Sequence, residues 1–435
     1  MGFRPIAFAV LALSACLVTP AAAAIGTSDD VPAATLLLPY FEVDFGNPDG
    51  ITTLFSVNNA SATAVLAHVV LWSDLSVPVL DFNLYLTGYD VQTINLRDIL
   101  VNGVLPQTAS DGQDPTDLVS PQGAFSQDVN FASCSGQLPL PNLPEAFLAH
   151  LRAALTGRFS NILGGCAGLS YGDNVARGYV TVDAVNNCTL RFPGDSGYFV
   201  SGGTGDASDQ NVLWGDLFYV DVSTDRAEGE ALVHVEASAA DPSTSTSGQY
   251  TFYSRYVSWT AVDNRERLGA ELAARYLNGG PFTGGTDLLV WRDSKVKQGA
   301  FTCGTVPAWY PLGEEGIVIF DEEEHASPAS FPFSPQPPEE GLAPFPAEAQ
   351  RVTVGGPALP VPFPFGWLFL DLNTVVAAAG AVPPIDPGAA QAWVGLSIHT
   401  TSPYAGVVYG KGGIMGRASV GFAAIQLGSG HFHPH

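Results

Sequence analysis

The sequence predicts an all-β protein, an antiparallel β-sandwich of immunoglobulin-like or jelly-roll-like type with a small helical, disulfide-bracketed insertion. Short segments alternate apolar and polar residues, which buries one face of an antiparallel strand. Turn-forming residues punctuate them roughly every ten positions. The composition supplies a core, since 46% of residues are hydrophobic and 25 Phe, 14 Tyr and 7 Trp are present.

The chain opens on a leader. Arg4 precedes an apolar run over residues 6–18, and Ala21-Ala22-Ala23-Ala24 offers a small-residue exit. A basic start, a short apolar helix and such an exit predict a cleaved signal peptide at 1–24 and an exported chain, secreted, periplasmic or on the outer surface. The alternative is a lipoprotein, because Leu13-Ser14-Ala15-Cys16 has the form of a lipid-attachment site and would tether the protein through Cys16.

Strands follow at 34–40, 41–44, 52–57, 65–72, 79–86 and 91–96, with a turn at Asn47-Pro48-Asp49-Gly50. Proline fixes φ there and glycine accepts the reversal. Between 101 and 137 the pattern gives way to Asp, Gln, Ser, Pro and Gly, an exposed excursion. Residues 144–155 then carry Phe147, Leu148, Leu151 and Leu155 at helical spacing, with Pro144 before and Gly157 after. Strands resume at 178–182, 211–220, 231–235, 250–257, 287–291 and 316–320. Residues 263–277 fit either a helix through Leu268, Leu272 and Tyr276 or a further strand. Eleven prolines lie between 328 and 364, among them Phe331, Phe333, Phe345 and Phe363. Such density cannot be a central strand and predicts an extended segment across the domain, a linker being the alternative. Residues 367–370, 392–398, 406–409 and 420–427 read as strands.

The organisation predicted is therefore a β-rich region 25–326 with its helical insertion at 134–166, a Pro/Phe-rich segment 327–365, C-terminal strands 366–430 that complete the same sandwich or form a second domain, and a His-rich tail 431–435. No transmembrane segment is expected after the leader.

Charge narrows the function. Acidic residues number 42 against 17 basic, a net charge of −25. Nucleic-acid affinity draws on Lys and Arg, so nucleic-acid binding is disfavoured. Glycans or other surface proteins remain as partners.

With Cys16 in the leader, Cys134, Cys166, Cys188 and Cys303 remain. An even number in an exported chain predicts disulfides. Of the three connectivities, Cys134–Cys166 with Cys188–Cys303 is expected, because the first pair brackets a separately patterned segment. Zinc would need closer spacing, such as C-x-x-C, which is missing.

Several stretches resemble uncharacterised exported bacterial β-rich proteins of no known activity: Leu37-Leu38-Pro39-Tyr40-Phe41-Glu42-Val43-Asp44, Trp214-Gly215-Asp216-Leu217-Phe218-Tyr219-Val220-Asp221, and Phe301-Thr302-Cys303-Gly304. The resemblance implies export and β content, and no site.

Candidate chemistry is sparse. Gly194-Asp195-Ser196-Gly197 is the tetrapeptide around the nucleophile of trypsin-like proteases, and His68, Asp98 and Ser196 occur in the matching chain order. Tyr198 replaces the next glycine, and His68 sits in an alternating strand, so a turn is expected instead. His431, His433 and His435 alternate at the end of the chain and suit Cu, Ni or Zn, or form a mobile tail. Glu314-Glu315 and Asp321-Glu322-Glu323-Glu324 offer Ca²⁺ ligands or a glycosidase pair, or a solvated acidic rim. Trp309, Tyr310, Trp259 and Trp367 are candidates for sugar stacking, with core packing the competing role. No cofactor is expected, Ca²⁺ or a transition metal being the alternative. The expectation is an exported non-catalytic surface or extracellular protein, structural, adhesive or glycan-binding, the alternative being a secreted hydrolase of serine or acidic-pair type.

Overall fold

The computed structural model describes residues 31–108, 131–138, 140–237, 250–282, 284–305, 307, 316–328, 345–372, 389–399, 419–423 and 425–426. The leader, Cys16, the His-rich tail, Trp309, Tyr310, Glu314, Glu315 and the strand expected at 406–409 lie outside these residues. Among them no helix is long and apolar enough to cross a membrane.

The chain is all-β, and the strands of every sheet pair antiparallel. In the first half run β1 (Thr35–Asp44), β2 (Thr52–Asn59), β3 (Val65–Ser73), β4 (Pro78–Leu86) and β5 (Val91–Asn95). A short helix α1 (Leu96–Leu100) and the longer α2 (Glu145–Leu155) precede β6 (Val175–Val185), β7 (Leu213–Trp214), β8 (Asp216–Asp221), β9 (Arg226–Ala231) and β10 (Val233–Val235). The second half holds β11 (Glu271–Leu277), β12 (Gly285–Asp293), β13 (Gly316–Phe320), β14 (Ala326–Pro328), β15 (Ala349–Thr353), β16 (Phe365–Asp371), β17 (Gln391–His399), β18 (Ser419–Ala423) and β19 (Ile425–Gln426).

Among the described residues four sheets form, in strand orders β10-β1-β6-β3-β4, β5-β2-β8-β9 with β7 beside β2, β15-β12-β17-β18 and β14-β13-β16-β11-β19. The first is central. Leu36, Val69, Val70, Leu71, Val180 and Val182 are buried in its strands, which are near-continuously apolar because packing covers both faces. Its core runs on to Leu217 and Tyr219 of β8, Trp291 of β12 and Trp393 of β17. A second core joins β11, β12, β13, β15, β16 and β17. The C-terminal strands are interleaved with earlier ones, β16 lying between β13 and β11, and β17 beside β12.

Helix α2 forms where its apolar spacing places it. Leu148, Leu151 and Leu155 are buried against the central sheet. His150 is buried too, its Nε2 donating to Val79 O at 3.0 Å while Nδ1 meets Ser160 Oγ at 2.7 Å. Burial lowers the pKa of that imidazole, which keeps it neutral as a pin between helix and sheet.

The ambiguous stretch 263–277 ends in strand. Leu272, Ala274 and Tyr276 are buried at period two along β11. The strand expected at 250–257 is a chain of turns instead, because its polar side chains point into the protein to meet partners there. Arg255 forms two hydrogen bonds to Glu348, at 2.6 and 2.8 Å, and its Nε lies 3.3 Å from Asp293. Lys295 Nζ, fully buried, lies 2.9 Å from Asp293 Oδ2 and 3.0 Å from Ser254 Oγ. Two cations and two anions thus compensate one another out of water, which a buried charge requires. The strand expected at 211–220 breaks at Gly215, where any Cβ would stand 2.2 Å from Ser56 O.

The disulfides differ from the expected pairing. Cys134 bonds Cys188 and Cys166 bonds Cys303. Segment 134–166 is therefore not bracketed by its own cysteines. Each bridge ties it to another part of the chain, 134 to the loop after β6 and 166 to the segment after β12. Proximity along the sequence failed as a guide because an antiparallel backbone pair, Cys166 with Phe301, brings Cys166 next to Cys303. Two such bonds place the chain in an oxidising environment.

Candidate functional site

At the junction of the central sheet with β15 lies a pocket of about 360 Å³, lined by Tyr40, Glu42, Tyr171, Arg177, Gln350 and Arg351 with a proline-and-alanine wall at Pro346, Pro357 and Ala358. Sequence position explains its parts. Pro39 lacks an N–H, and the β1–β6 register slips between Leu38 and Phe41. Tyr40 lies inside this irregularity and Glu42 just after it, two positions on along β1. β15 is the edge of its sheet, the position that its flanking prolines tolerate.

Glu42 is the centre of the polar wall. Its Oε1 accepts from Tyr40 Oη at 2.9 Å, and its Oε2 accepts from Arg351 Nη2 and Nε at 2.8 and 3.1 Å. Arg177 Nε lies 3.8 Å from the same carboxylate, while its two Nη atoms grip Asp173 at 2.8 and 2.9 Å. The Arg177 guanidinium stacks over the Tyr171 ring, 4.4 Å from its centre. Arg351 Nη1 also reaches Asp287 Oδ2 at 3.1 Å. Burial raises the Tyr40 phenol well above its ordinary value, with Glu42 adding to the effect. Burial pushes Asp287 upward too, yet hydrogen bonds and charge from His399, Arg351 and Thr353 hold its carboxyl below the usual range. Both guanidiniums are thus neutralised by the protein's own carboxylates. What the pocket offers is planar hydrogen-bonding groups, a stacked ring and an apolar wall.

Beyond Asp287 the polar groups continue. His399 Nε2 lies 3.1 Å from Asp287 Oδ2 and 3.3 Å from Ser397 Oγ. Ser397 is buried and donates to Glu228 Oε2 at 2.7 Å. A catalytic triad uses opposite imidazole nitrogens for acid and serine. Here one nitrogen faces both, and the hydroxyl proton is given to a carboxylate. Burial, then the Glu228 charge, raises the neighbouring Glu230 carboxyl to about 7.

The sequence-derived serine set is not assembled. Ser196 is exposed in a turn where Asp195 Oδ2 accepts from Phe192 N at 2.9 Å. His68 is fully buried in β3, its Nδ1 3.1 Å from Asn83 Oδ1 and its Nε2 3.8 Å from Asp81 Oδ2. Asp98 sits on α1 and accepts from Asn102. Among the described residues no hydrogen bond joins the three. Tyr198, where a protease carries glycine, is buried and donates to Asp183 Oδ2 at 2.7 Å.

The acidic run is a turn. Asp321 Oδ1 accepts from the backbone of Glu323 and His325, and Glu322 pairs with Arg275. Among the described residues no group of three or more His, Cys, Asp or Glu is placed to hold a metal ion. Trp367 lies under the Arg275 guanidinium, and Trp259 is half-buried in a turn with positive φ.

The pocket residues come from three distant stretches, and no local motif marked them. The signal available was arginine itself: in so acidic a chain, an Arg among apolar residues needs a carboxylate partner, and neither Arg177 nor Arg351 falls on a strand that the sequence predicts. No protein-family model, curated protein or solved structure matches the chain.

Proposed function

We propose that this is an exported, non-catalytic glycan-binding protein of the cell surface or extracellular matrix, taking a saccharide unit in the pocket between β1, β6 and β15. One observation carries the reading: the pocket combines internally neutralised planar groups, Glu42, Arg177, Arg351 and Gln350, with the Tyr171 ring. Planar amide, carboxylate and guanidinium groups match the paired hydroxyls of a sugar, and an aromatic ring matches its apolar face. The leader-like N-terminus, the two disulfides and the resemblance to exported bacterial chains support the location.

Glycan-array binding of the full mature chain tests this, alongside Ala358→Trp, which fills the pocket and leaves its ion pairs in place. The reading expects specific saccharides bound by the wild type and lost in the variant. Binding that survives Ala358→Trp, or an intracellular location in cell fractionation, would overturn it.

A secreted acidic-pair hydrolase is the second reading, favoured by Glu230. A carboxyl protonated near neutrality beside Glu228 has the division of roles an acid–base pair needs. Turnover of chromogenic glycosides that disappears in Glu230→Gln would replace the first reading with this one.

A further inference from the structure

The outward face of the β5-β2-β8-β9 sheet carries a second feature. Strand alternation sends Leu217 and Tyr219 into the core, and turns Trp214 and Phe218 outward, 42% and 46% exposed. They stand four residues apart, at the end of β7 and within β8 either side of the break at Gly215, roughly 13 Å at the usual rise. Gly229 is the cross-strand partner of Phe218. A Cβ on Gly229 would stand 2.4 Å from the Phe218 ring. The ring therefore lies flat across β9, in space that only glycine leaves open. Beside Trp214 the register places Asn58 and then Val91, itself 57% exposed.

Between the two rings runs a polar line. Ser56 Oγ donates to Asp216 Oδ1 at 2.7 Å and accepts from Asn58 Nδ2 at 2.9 Å. Asn58 Oδ1 is buried and has no hydrogen-bond partner, an acceptor the fold leaves unsatisfied. The paired strands bring no Lys or Arg to the outward positions of this face.

We infer that this face is a platform for an extended, uncharged polysaccharide, stacking on Trp214 and Phe218 and hydrogen-bonding a hydroxyl to Asp216 between them, which the buried Ser56 and Asn58 hold in place. The ligand class rests on the glycan-binding reading above, but the site is separate from the pocket. Charge selects the occupant. Without a cation the face gives an acidic polymer nothing to pair with, and a chain of net charge −25 repels both such polymers and a second copy of itself. A neutral chain meets no such cost. Two exposed rings spaced along a sheet face favour a linear polymer over a compact ligand, which needs a concave site.

Affinity electrophoresis of the full mature chain tests the platform, in native gels containing hydroxyethylcellulose, xylan, mixed-linkage β-glucan or, for contrast, alginate. The expected result is retardation by at least one neutral polymer and none by alginate. Trp214→Ala and Phe218→Ala should each weaken it about tenfold or more. Both side chains are half exposed, so unchanged melting temperatures check that the variants still fold. Ala358→Trp should leave the retardation intact, so loss of pocket binding and loss of platform binding are read separately. The inference is overturned by no retardation in any neutral gel, by retardation unaffected in Trp214→Ala and Phe218→Ala, by retardation in alginate alone, or by self-association that requires Trp214.

Discussion

Arg351 Nη2 lies 2.8 Å from Glu42 Oε2, two residues 309 positions apart in the chain. This contact fastens an edge strand of one sheet to the central sheet and forms the wall of the pocket. Both side chains are largely buried. Arg351→Ala strands the carboxylates of Glu42 and Asp287 together, with Arg177 only partly compensating. The expected loss is on the order of 3 kcal/mol of stability, read by chemical denaturation. Arg351→Lys, a point charge that cannot bridge both carboxylates, should recover part of that loss.

The Arg255–Glu348 pair should be more sensitive, since both side chains are excluded from water. Glu348→Ala leaves a buried guanidinium facing Asp293 alone, with Lys295 competing for the same carboxylate. A loss of about 3–5 kcal/mol is expected, measured as a fall in denaturation midpoint with an unchanged slope. An unaltered midpoint would show that the four-charge cluster is not formed.

Stability should rise on mild acidification. Burial raises Asp74 to about 7 and Asp263 to about 6, and Glu230 stands at about 7 from burial and the charge of Glu228. A carboxyl whose folded pKa exceeds its unfolded one favours the fold when protonated. That contribution is complete below about pH 4 and is lost as pH rises through 6 to 7. Asp173 and Asp287, held below their ordinary values, act with the opposite sign only at lower pH. The single buried imidazole of His150, which disfavours the fold as pH falls through its ordinary value of about 6.5, is outnumbered by the three raised carboxyls. The melting temperature should therefore be higher at pH 5 than at pH 8. Asp74→Asn should shrink the difference, and a melting temperature that rises from pH 5 to pH 8 would refute the account.

Peptide mapping without reduction should find Cys134 linked to Cys188 and Cys166 linked to Cys303. The second bridge spans 137 residues. In the chain-entropy view a loop of that length contributes about 4–5 kcal/mol, so the Cys166→Ala, Cys303→Ala double variant should unfold at markedly lower denaturant.

Alternation and helical spacing are local, and what they encode was readable: β1 to β6, the helix α2 and the strands β12 and β13 fall where the pattern places them. Pairing is not local. Nothing in residues 349–353 announces that they join β12, and nothing near Cys166 announces Phe301. Residues 250–257 misled because Tyr and Phe favour strands wherever they occur, and here their neighbours Ser254 and Arg255 serve the buried charge cluster. Trp214 and Phe218 were visible in principle. They share a parity opposite to that of Leu217 and Tyr219, and Gly229 is the partner that lets the outward ring lie down. The pocket was not visible, because its aromatic, acidic and basic parts meet only once three distant stretches of chain and two sheets have closed.

The place of β16 sets an order of events. β11 and β13 do not touch along their ladders; each pairs with β16, which is completed only at Asp371. Until the ribosome has passed that point, β11 and β13 carry open hydrogen-bonding edges, and such edges invite pairing with other chains. The molecule is therefore one that must be kept apart from its neighbours late into synthesis, and a truncation before residue 365 should yield aggregates rather than a smaller folded protein.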